Sequence, residues 1–349
     1  MFGKMMNNYY YGKSGKGDFK KDDLPTNRWQ LFWDMLKTRL SGLVRLNLLY
    51  FLVWIPTVVV LILGYSTFMD SFIYPATQSS VDENGQTVYS EVLDEEGNPV
   101  MKWQAAGYTE SQIPALMNSV VLHYLLWLIP CIAITGPATA GVSYVTRNWS
   151  RDEHAFIWSD FKDALKENWK QSLVVSIITG LVPMLAYVCW TFYGEMAKTQ
   201  TIMFIPQVLT MMLVIMWYLS VTYMHPLTVS YELKTKGVLK NGLLLGIARL
   251  PMSVGIRLLH CLPTVLIVLI GGFVIGLDLY LLPMIILVYY ALIGFSLSRF
   301  VTASYTNAVF DRFINSKIEG AVVNRGLRQE EEDDEDGEDD GDESETGEK

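Results

Sequence analysis

The sequence predicts an all-α membrane protein whose six transmembrane helices are arranged as three hairpins. Just over half of its residues, 51%, are hydrophobic, and the mean hydropathy of +0.24 is high for a soluble domain. Six apolar runs are long enough for the roughly 20 residues that a helix needs to cross a bilayer. They cover residues 44–64, 118–145, 171–193, 202–225, 254–277 and 279–300. Because the runs are continuously apolar rather than alternating, they indicate helices and not the strands of a barrel.

The distribution of basic residues predicts the orientation of these helices. Lysine and arginine are frequent before the first run, in the second and fourth connections, and after the sixth run. The first connection contains only Lys102, the third only Lys198, and the fifth neither residue type. Positive charge is retained on the cytoplasmic side of a membrane. We therefore expect a multi-pass protein of the cell membrane with both termini in the cytoplasm.

Two cytoplasmic segments have the pattern of interfacial amphipathic helices. Apolar residues recur every three or four positions, and charged residues take the other face. The residues at this spacing are Trp29, Phe32, Trp33, Leu36 and Leu40 in one segment, and Trp158, Phe161, Leu165, Trp169 and the small polar Ser172 in the other. These stripes favour helices that lie in the membrane interface and lead into a span. The alternative is a groove that binds a partner protein.

The chain divides into three parts with different compositions. Residues 1–27 form a polar cytoplasmic segment, 28–318 the six-helix membrane domain, and 319–349 a cytoplasmic tail. Fourteen of the 36 acidic residues lie between Glu330 and Glu348, with no basic residue among them. Such a block of like charge cannot bury a core, so the tail is predicted to be disordered.

An insertion at 65–117 separates the first two runs on the predicted outer side. Its turn signals, Asn84-Gly85 and Gly97-Asn98-Pro99, separate short runs such as Gln86–Val92 and Val100–Trp103. This pattern predicts a small extracytoplasmic β-hairpin or meander.

A Gly-Pro pair interrupts the second run within "ITGPATAGVSYVTRN". One interpretation is a helix that Pro137 kinks and that packs closely through small residues. The other is a broken helix whose open backbone binds an anion or a polar solute. Proline and glycine are common in membrane helices, which favours packing. The candidate contact residues are Gly136, Pro137, Thr139, Ser143, Tyr144, Arg147, Arg151 and Arg257.

Two further patterns concern the cytoplasmic ends of the helices. The even-numbered runs end in Ser143-Tyr144, Ser230-Tyr231 and Ser304-Tyr305, which suggests three related hairpins. Five arginines could also form a basic pocket for an anionic lipid or a phosphorylated ligand. They are Arg147, Arg151, Arg249, Arg257 and Arg299. The preference for positive charge on the inner side is sufficient to place arginines there, so the pocket is the less favoured interpretation.

The sequence offers little support for catalysis. No aspartate or glutamate lies within the six runs, and there is no Walker loop, dinucleotide fingerprint, zinc-ligand spacing or nucleophile elbow. We therefore expect neither an enzyme nor a bound cofactor or metal. No basic domain with interleaved aromatic residues is present, so nucleic acid is not an expected partner. Cys131, Cys189 and Cys261 lie in apolar runs and are interpreted as small apolar residues.

The order of several motifs resembles the YesL-like family of bacterial integral membrane proteins. The motifs are the Gly-Pro-Ala-Thr-Ala run from Gly136, a basic loop, and an amphipathic helix ending in Lys170-Gln171-Ser172-Leu173. Stretches from His225 and from Ser304 are also similar to the family. The resemblance implies a six-span protein, mostly of Gram-positive bacteria, encoded beside carbohydrate-uptake systems and without an established activity. The long outer insertion and the acidic tail depart from the family pattern.

Together these features favour a non-enzymatic accessory or regulatory protein of carbohydrate uptake or sensing. Its expected partners are the lipid bilayer and a sugar-uptake transporter or sensor complex, and its oligomeric state is left open. The alternative is a small-solute transporter or channel that uses the kinked second span. A membrane enzyme built on His154, His225 and His260 is the third and least supported hypothesis.

Overall fold

The computed structural model describes residues 24–75, 77–81, 87–99, 101–103, 112–277 and 281–328. Within these residues, six helical segments are long and apolar enough to cross a bilayer, which confirms that prediction. The helices are α1 (Arg28–Phe72), α2 (Ile113–Trp149), α3 (Ser159–Ala197), α4 (Phe204–Ser230), α5 (Thr235–Ala248), α6 (Leu250–Val268), α7 (Leu281–Tyr289) and α8 (Phe295–Phe313). The protein is therefore a helical, multi-pass membrane protein. The arrangement as three membrane hairpins stays a prediction.

Four short helical segments extend or join these helices. A 3₁₀ turn precedes α4 and another follows α8, whereas π-helical turns continue α6 and connect α7 to α8. Their bounds are Thr201–Met203, Asn315–Lys317, Leu269–Ile275 and Tyr290–Gly294. The sixth apolar segment is therefore one continuous helix composed of α7, a π turn and α8.

Both predicted amphipathic segments continue directly into an apolar helix. At about 1.5 Å per residue, the 45 residues of α1 span roughly 70 Å, more than twice the thickness of the hydrocarbon core. Asn27 caps the start of α1, since its Oδ1 accepts a hydrogen bond of 2.9 Å from the Gln30 amide. The stripe at the start of α3 is divided in the structure, because Phe161 is buried and Trp158 is exposed. The placement of these segments in the membrane interface stays a prediction.

Short strands follow α1 in the predicted outer insertion. β1 (Ile73–Pro75) pairs antiparallel with β4 (Met101–Trp103), and β2 (Thr77–Val81) pairs antiparallel with β3 (Thr87–Glu91). The turn predicted at Gly97 is present: its amide donates to the Asp94 carbonyl, and its φ of 85° favours glycine. The turn at Asn84-Gly85 lies outside the described residues. An extracytoplasmic β-hairpin stays a prediction.

The buried core lies at one end of the bundle. There α2, α4 and α8 end, and α1 and α3 begin. Its largest fully buried side chains include Leu43, Leu46, Tyr50, Val142, Val145, Tyr223, Leu227, Phe300 and Phe310. Toward the other end the helices expose apolar side chains, such as Leu213 at 71% and Phe273 at 82%. Apolar surface of this extent suits a hydrocarbon environment rather than water.

A buried asparagine in α1 stabilises the π turn between α7 and α8. π-Helical turns shift the backbone hydrogen-bond pattern and leave carbonyls to be satisfied by other groups. Asn47 Nδ2 donates to the carbonyls of Tyr290 and Ala291 at 2.9 and 2.7 Å, and its Oδ1 accepts from the Ser296 amide at 2.9 Å. Asn47 is fully buried. One side chain thus links the first and sixth apolar segments.

We expect Asn47→Leu to lower the free energy of unfolding by about 2 kcal/mol, because a buried polar group without a partner costs roughly 1–3 kcal/mol. Thermal unfolding in detergent would measure the effect. Asn118→Leu is the matched control, since Asn118 is an exposed asparagine of α2 whose Oδ1 accepts a hydrogen bond from the Tyr187 hydroxyl. Equal melting temperatures for the two variants would contradict the role of Asn47.

The ordered chain continues beyond the predicted boundary at 318. Leu327 packs against the core, the Arg328 amide donates to the Pro25 carbonyl at 3.0 Å, and Arg325 pairs with Glu153. Residues 325–328, which the composition assigned to the tail, therefore contact the membrane domain. The boundary at 318 and the disorder of the tail stay predictions. The acidic run from Glu330 lies outside the described residues.

Candidate functional site

The predicted stripe of small residues in α2 lies in its contact with α3. The members of the stripe, Ala133, Gly136, Ala140 and Ser143, are all buried. A Cβ atom at Gly136 would lie 2.4 Å from the carbonyl oxygen of Ser172 and 2.7 Å from Ser176 Oγ. On α3, a Cβ at Gly180 would lie 3.1 Å from the backbone of Ile129. Glycines on both helices therefore permit the close approach that small residues give in membranes.

The helix is not broken at Pro137, because α2 runs from Ile113 to Trp149. Thr135 Oγ1 donates to the Ile132 carbonyl and Thr139 Oγ1 to the Thr135 carbonyl, both at 2.7 Å. Neither carbonyl is that of Ala133, whose helical hydrogen bond the proline removes. These hydroxyls therefore do not replace the hydrogen bond that Pro137 removes. A hydroxyl reaches back three or four residues, and the required positions hold glycine and proline.

The face of α2 around the proline is closely packed. Thr135 and Thr139 are each 2% exposed, and the hydroxyl groups of Thr139 and Tyr50 lie 2.6 Å apart. The space where a side chain at Gly136 would lie is filled by α3. In this conformation the segment presents no open backbone to a solute, and its geometry is that of a helix contact.

Several charged and polar residues lie close together at the end of α2 that follows this packed segment, at the basic end of the bundle. We use this name for the end that contains Arg28, Arg147, Arg151 and Arg325. Arg147 Nη1 donates to the Val229 carbonyl at the end of α4 at 2.5 Å, and its Nε and Nη2 donate to Asn148 Oδ1. The Arg147 guanidinium also lies 4.8 Å from the centre of the Tyr144 ring. Arg147 therefore joins the ends of α2 and α4.

Asp311 of α8 organises a polar network at this end. Its Oδ2 accepts from Arg28 Nη2 at 2.6 Å and from the Asn324 amide at 3.1 Å, and its Oδ1 accepts from Asn315 Nδ2 at 2.6 Å. The Tyr231 hydroxyl donates to Asn315 Oδ1 at 2.7 Å. Burial raises the pKa of Tyr231 to about 12, so its hydroxyl stays protonated and can donate.

Arg151 lies between this network and the chain that follows α8. Burial lowers the pKa of Arg151, while the charges of Asp311 and Glu153 oppose that shift. Arg325 donates to Glu153 Oε1 at 2.6 Å. A Cβ at Gly326 would lie 2.6 Å from the Arg151 carbonyl oxygen, and the φ of Gly326 is 80°. The segment after α8 is thus held closely over the loop that follows α2.

A polar cleft opens beside this network, between α3 and the ends of α2 and α4. Its volume is about 470 Å³, within the range of roughly 300–1,000 Å³ that is typical of ligand pockets. Its lining comprises Tyr144, Glu167, Asn168, Gln171, Thr228, Val229, Ser230, Tyr231, Glu232, Leu233 and Lys234. Gln171 Nε2 donates to the Leu233 carbonyl at 2.6 Å, while Gln171 Oε1 and Ser230 Oγ are buried without a hydrogen-bond partner in the described chain. We call this feature the polar cleft.

The structure divides the five arginines of the predicted basic pocket. Arg147 and Arg151 lie together at the basic end. Arg249 stands over the Phe313 ring at 5.5 Å, and Arg257 donates to the Tyr218 carbonyl of α4, with Arg299 nearby. The five arginines therefore do not line one pocket in this structure. Arg147 contacts the end of α4 at Val229, whereas Arg257 contacts α4 at Tyr218.

Of the eight candidate residues, Tyr144 alone lines the polar cleft, and Arg147 lies against its ring. Four others lie earlier in α2, further from the basic end: Gly136, Pro137, Thr139 and Ser143. Sequence reasoning missed Asp311, Asn315 and most of the cleft. The sequence signal for these residues is that they are polar and follow directly after the apolar runs. That signal does not show which of these polar residues contact one another.

The three Ser-Tyr pairs occupy corresponding places near the ends of α2, α4 and α8. In each pair the serine hydroxyl is buried without a hydrogen-bond partner among the described residues: Ser143, Ser230 and Ser304. The tyrosines differ, since Tyr144 and Tyr231 line the polar cleft and the Tyr305 hydroxyl lies 2.9 Å from that of Tyr223. The threefold internal repeat stays a prediction.

Among the described residues, no group of three histidine, cysteine, aspartate or glutamate side chains is placed to hold a metal ion. His154 packs against the Phe156 ring at 4.5 Å. His225 and His260 instead lie near Arg257 and Arg299, on α4 and α6. The three histidines of the enzyme hypothesis are thus not brought to one place.

The fold and this end of the bundle define a multi-pass helical membrane protein with a polar, basic end. A family model described as "Protein of unknown function, DUF624" matches residues 117–190. The match covers most of α2 and α3, and includes Gly136, Tyr144, Arg147 and the α3 side of the polar cleft. No curated protein and no solved structure matches the chain.

Proposed function

We propose that this chain is a YesL-like, non-enzymatic protein of the bacterial cell membrane that acts as an accessory or regulatory component of carbohydrate uptake or sensing. The part of the resemblance that runs from Gly136 to Leu173 lies within the residues that the matched family model covers. Both termini and the polar cleft then face the cytoplasm, as the arrangement of positive charge predicts.

The polar cleft is the observation that carries an accessory role. It combines two carboxylates, Glu167 and Glu232, with amide side chains, two tyrosines and Lys234. Unpaired buried groups such as Gln171 Oε1 favour a hydrogen-bonding occupant. A cytoplasmic loop of a transporter or sensor subunit could supply these hydrogen bonds, and a basic side chain of that loop would pair with the carboxylates.

The test is site-specific photo-cross-linking in native membranes. A photoreactive residue at Asn168 in the polar cleft should cross-link to a subunit of a sugar-uptake or sugar-sensing system. The same residue at Glu195, an exposed position near the opposite end of α3, is the matched control. Cross-links that are absent at Asn168, or equal at both positions, would count against the proposal.

The transporter alternative is tested by solvent access at the Gly-Pro segment. In a variant with Cys131, Cys189 and Cys261 replaced by alanine, Thr139→Cys should stay unreactive to a membrane-impermeant thiol reagent, because Thr139 is 2% exposed. In inside-out membrane vesicles, where the reagent has access to the cytoplasmic face, Asn168→Cys should react readily, because Asn168 lines the polar cleft. Rapid labelling of Thr139→Cys when a solute gradient is applied would favour a solute path instead.

A further inference from the structure

A second cluster of cationic side chains lies where α4, α6 and α8 meet. Arg257 of α6 donates to the Tyr218 carbonyl, which places its guanidinium on the face of α4 that also carries Thr222 and His225. One turn further along α6, His260 Nε2 lies 3.3 Å from Thr302 Oγ1 of α8. Arg299 precedes Thr302 by one turn, and its charge reaches both His225 and His260. We call this cluster the three-helix junction.

The positive charge of the junction has no acidic partner in the described chain. Neither arginine forms an ion pair with any described aspartate or glutamate, and neither α4 nor α6 contains an acidic residue. The acidic residue of α8, Asp311, already pairs with Arg28. Arg257 and Arg299 are partly exposed, but two neighbouring cations within membrane-spanning helices are unfavourable without an anion. The junction therefore lacks an anion that would balance its positive charge.

Buried polar atoms at the junction point to the same conclusion. His225 is 3% exposed and Thr222 is 2% exposed, yet His225 Nδ1 and Thr222 Oγ1 have no hydrogen-bond partner among the described residues. Arg257 Nε is likewise buried and unpartnered. Buried polar groups are nearly always hydrogen-bonded, so these atoms indicate a ligand that supplies acceptor oxygens.

An apolar groove adjoins the junction and shares His260 with it. The groove has a volume of about 490 Å³ and is lined mainly by apolar side chains of α1, α6 and α8, among them Phe32, Leu259, Pro263 and Val301. Trp29 and Trp33 line it on α1, and both are exposed. Tryptophan is enriched at the level of lipid headgroups. The groove has the dimensions and chemistry of an acyl-chain site.

We propose that the three-helix junction binds the phosphate of an anionic phospholipid and that the groove holds one of its acyl chains. Arg257 and Arg299 supply forked donors that match phosphate oxygens, and His225 and Thr222 supply further hydrogen bonds. Arg257 lies two turns from the start of α6, and Arg299 lies near the end of the sixth apolar run, so both lie toward the inner leaflet in the predicted orientation. A free phosphate would use the junction alone and leave the groove unused, so the groove favours the lipid.

Thermal unfolding of the wild-type protein with added ligand is the first test. Phosphatidylglycerol should raise the melting temperature of the delipidated protein well above the effect of equal phosphatidylcholine, inorganic phosphate or glycerol phosphate. Equal stabilisation by phosphatidylcholine would overturn charge recognition. Equal stabilisation by inorganic phosphate or glycerol phosphate would overturn the lipid in favour of a free anion.

Variants locate the site, with lipid retention measured by native mass spectrometry. Arg257→Gln with Arg299→Gln should weaken phosphatidylglycerol binding by about tenfold or more, since two charge-assisted interactions are lost. Arg312→Gln removes the same charge from an exposed position of α8 and should bind as the wild type does. Val301→Trp should also lose the lipid by filling the groove. Unchanged retention in the double variant, or equal loss in Arg312→Gln, would overturn the assignment.

Discussion

Replacing Gly136 with leucine should lower the free energy of unfolding by about 3 kcal/mol or more, the upper range for overpacking of a close-packed contact. The first atom of any side chain at this position would lie 2.4 Å from the backbone oxygen of Ser172. A backbone atom of a long helix cannot rotate away, so α2 and α3 would have to separate. Thermal unfolding in detergent, followed by tryptophan fluorescence, would measure the loss.

Gly255→Leu is the matched control for this experiment. Gly255 lies within α6, and a Cβ there would meet no atom within 4 Å. That substitution should be neutral or slightly stabilising, because glycine costs about 1 kcal/mol in the interior of a helix. Ser176→Ala should not rescue Gly136→Leu, since the nearest atom is the Ser172 carbonyl oxygen. Similar melting temperatures for the two leucine variants would refute the close contact.

The apolar helices and the packing role of the Gly-Pro segment could be predicted from sequence, because both depend on local patterns. Runs of about 20 apolar residues identify spans without knowledge of their neighbours. The stripe containing Gly136 and Ala140 follows helical spacing, so its shared face can be derived from the chain alone. Neither inference requires knowledge of which helices touch.

The sites could not be predicted because they depend on contacts between distant parts of the chain. Arg28 meets Asp311 across 283 positions, and the side chain of Asn47 reaches a π turn near residue 290. Charge alone placed the arginines at one side but could not separate Arg147 from Arg257. The same limit applies to residues 319–328, because the contacts of Asn324, Arg325 and Leu327 are with residues far away in the sequence.

The contrast between the two arginine groups is informative about function. At the basic end, Arg28 and Arg325 have carboxylate partners, so these charges join helices and the chain that follows α8. At the three-helix junction, Arg257 and Arg299 have no acidic partner in the described chain. Paired charges stabilise the fold, whereas unpaired charges at membrane depth mark a site for a ligand. The same residue type therefore serves structure at one place and recognition at another.

Asp311→Ala should destabilise the basic end by about 2 kcal/mol. Breaking a buried pair costs roughly 3–5 kcal/mol, and the smaller value is expected here because the Arg28 side chain remains 30% exposed. The substitution removes acceptors from Arg28, Asn315 and the Asn324 amide together. It should therefore release the chain after α8, and trypsin should cleave at Arg325 and Arg328 faster than in the wild type.

Asp311→Asn retains the size of the side chain and one acceptor oxygen, so its stability should be intermediate. Glu195→Ala is the control, since Glu195 pairs with Lys198 where both side chains are about 70% exposed, and such pairs contribute little. The decisive result is a protease-sensitive segment at 319–328 in Asp311→Ala alone. Cleavage at wild-type rates in that variant would show that Leu327 and the Arg325–Glu153 pair hold the segment without Asp311.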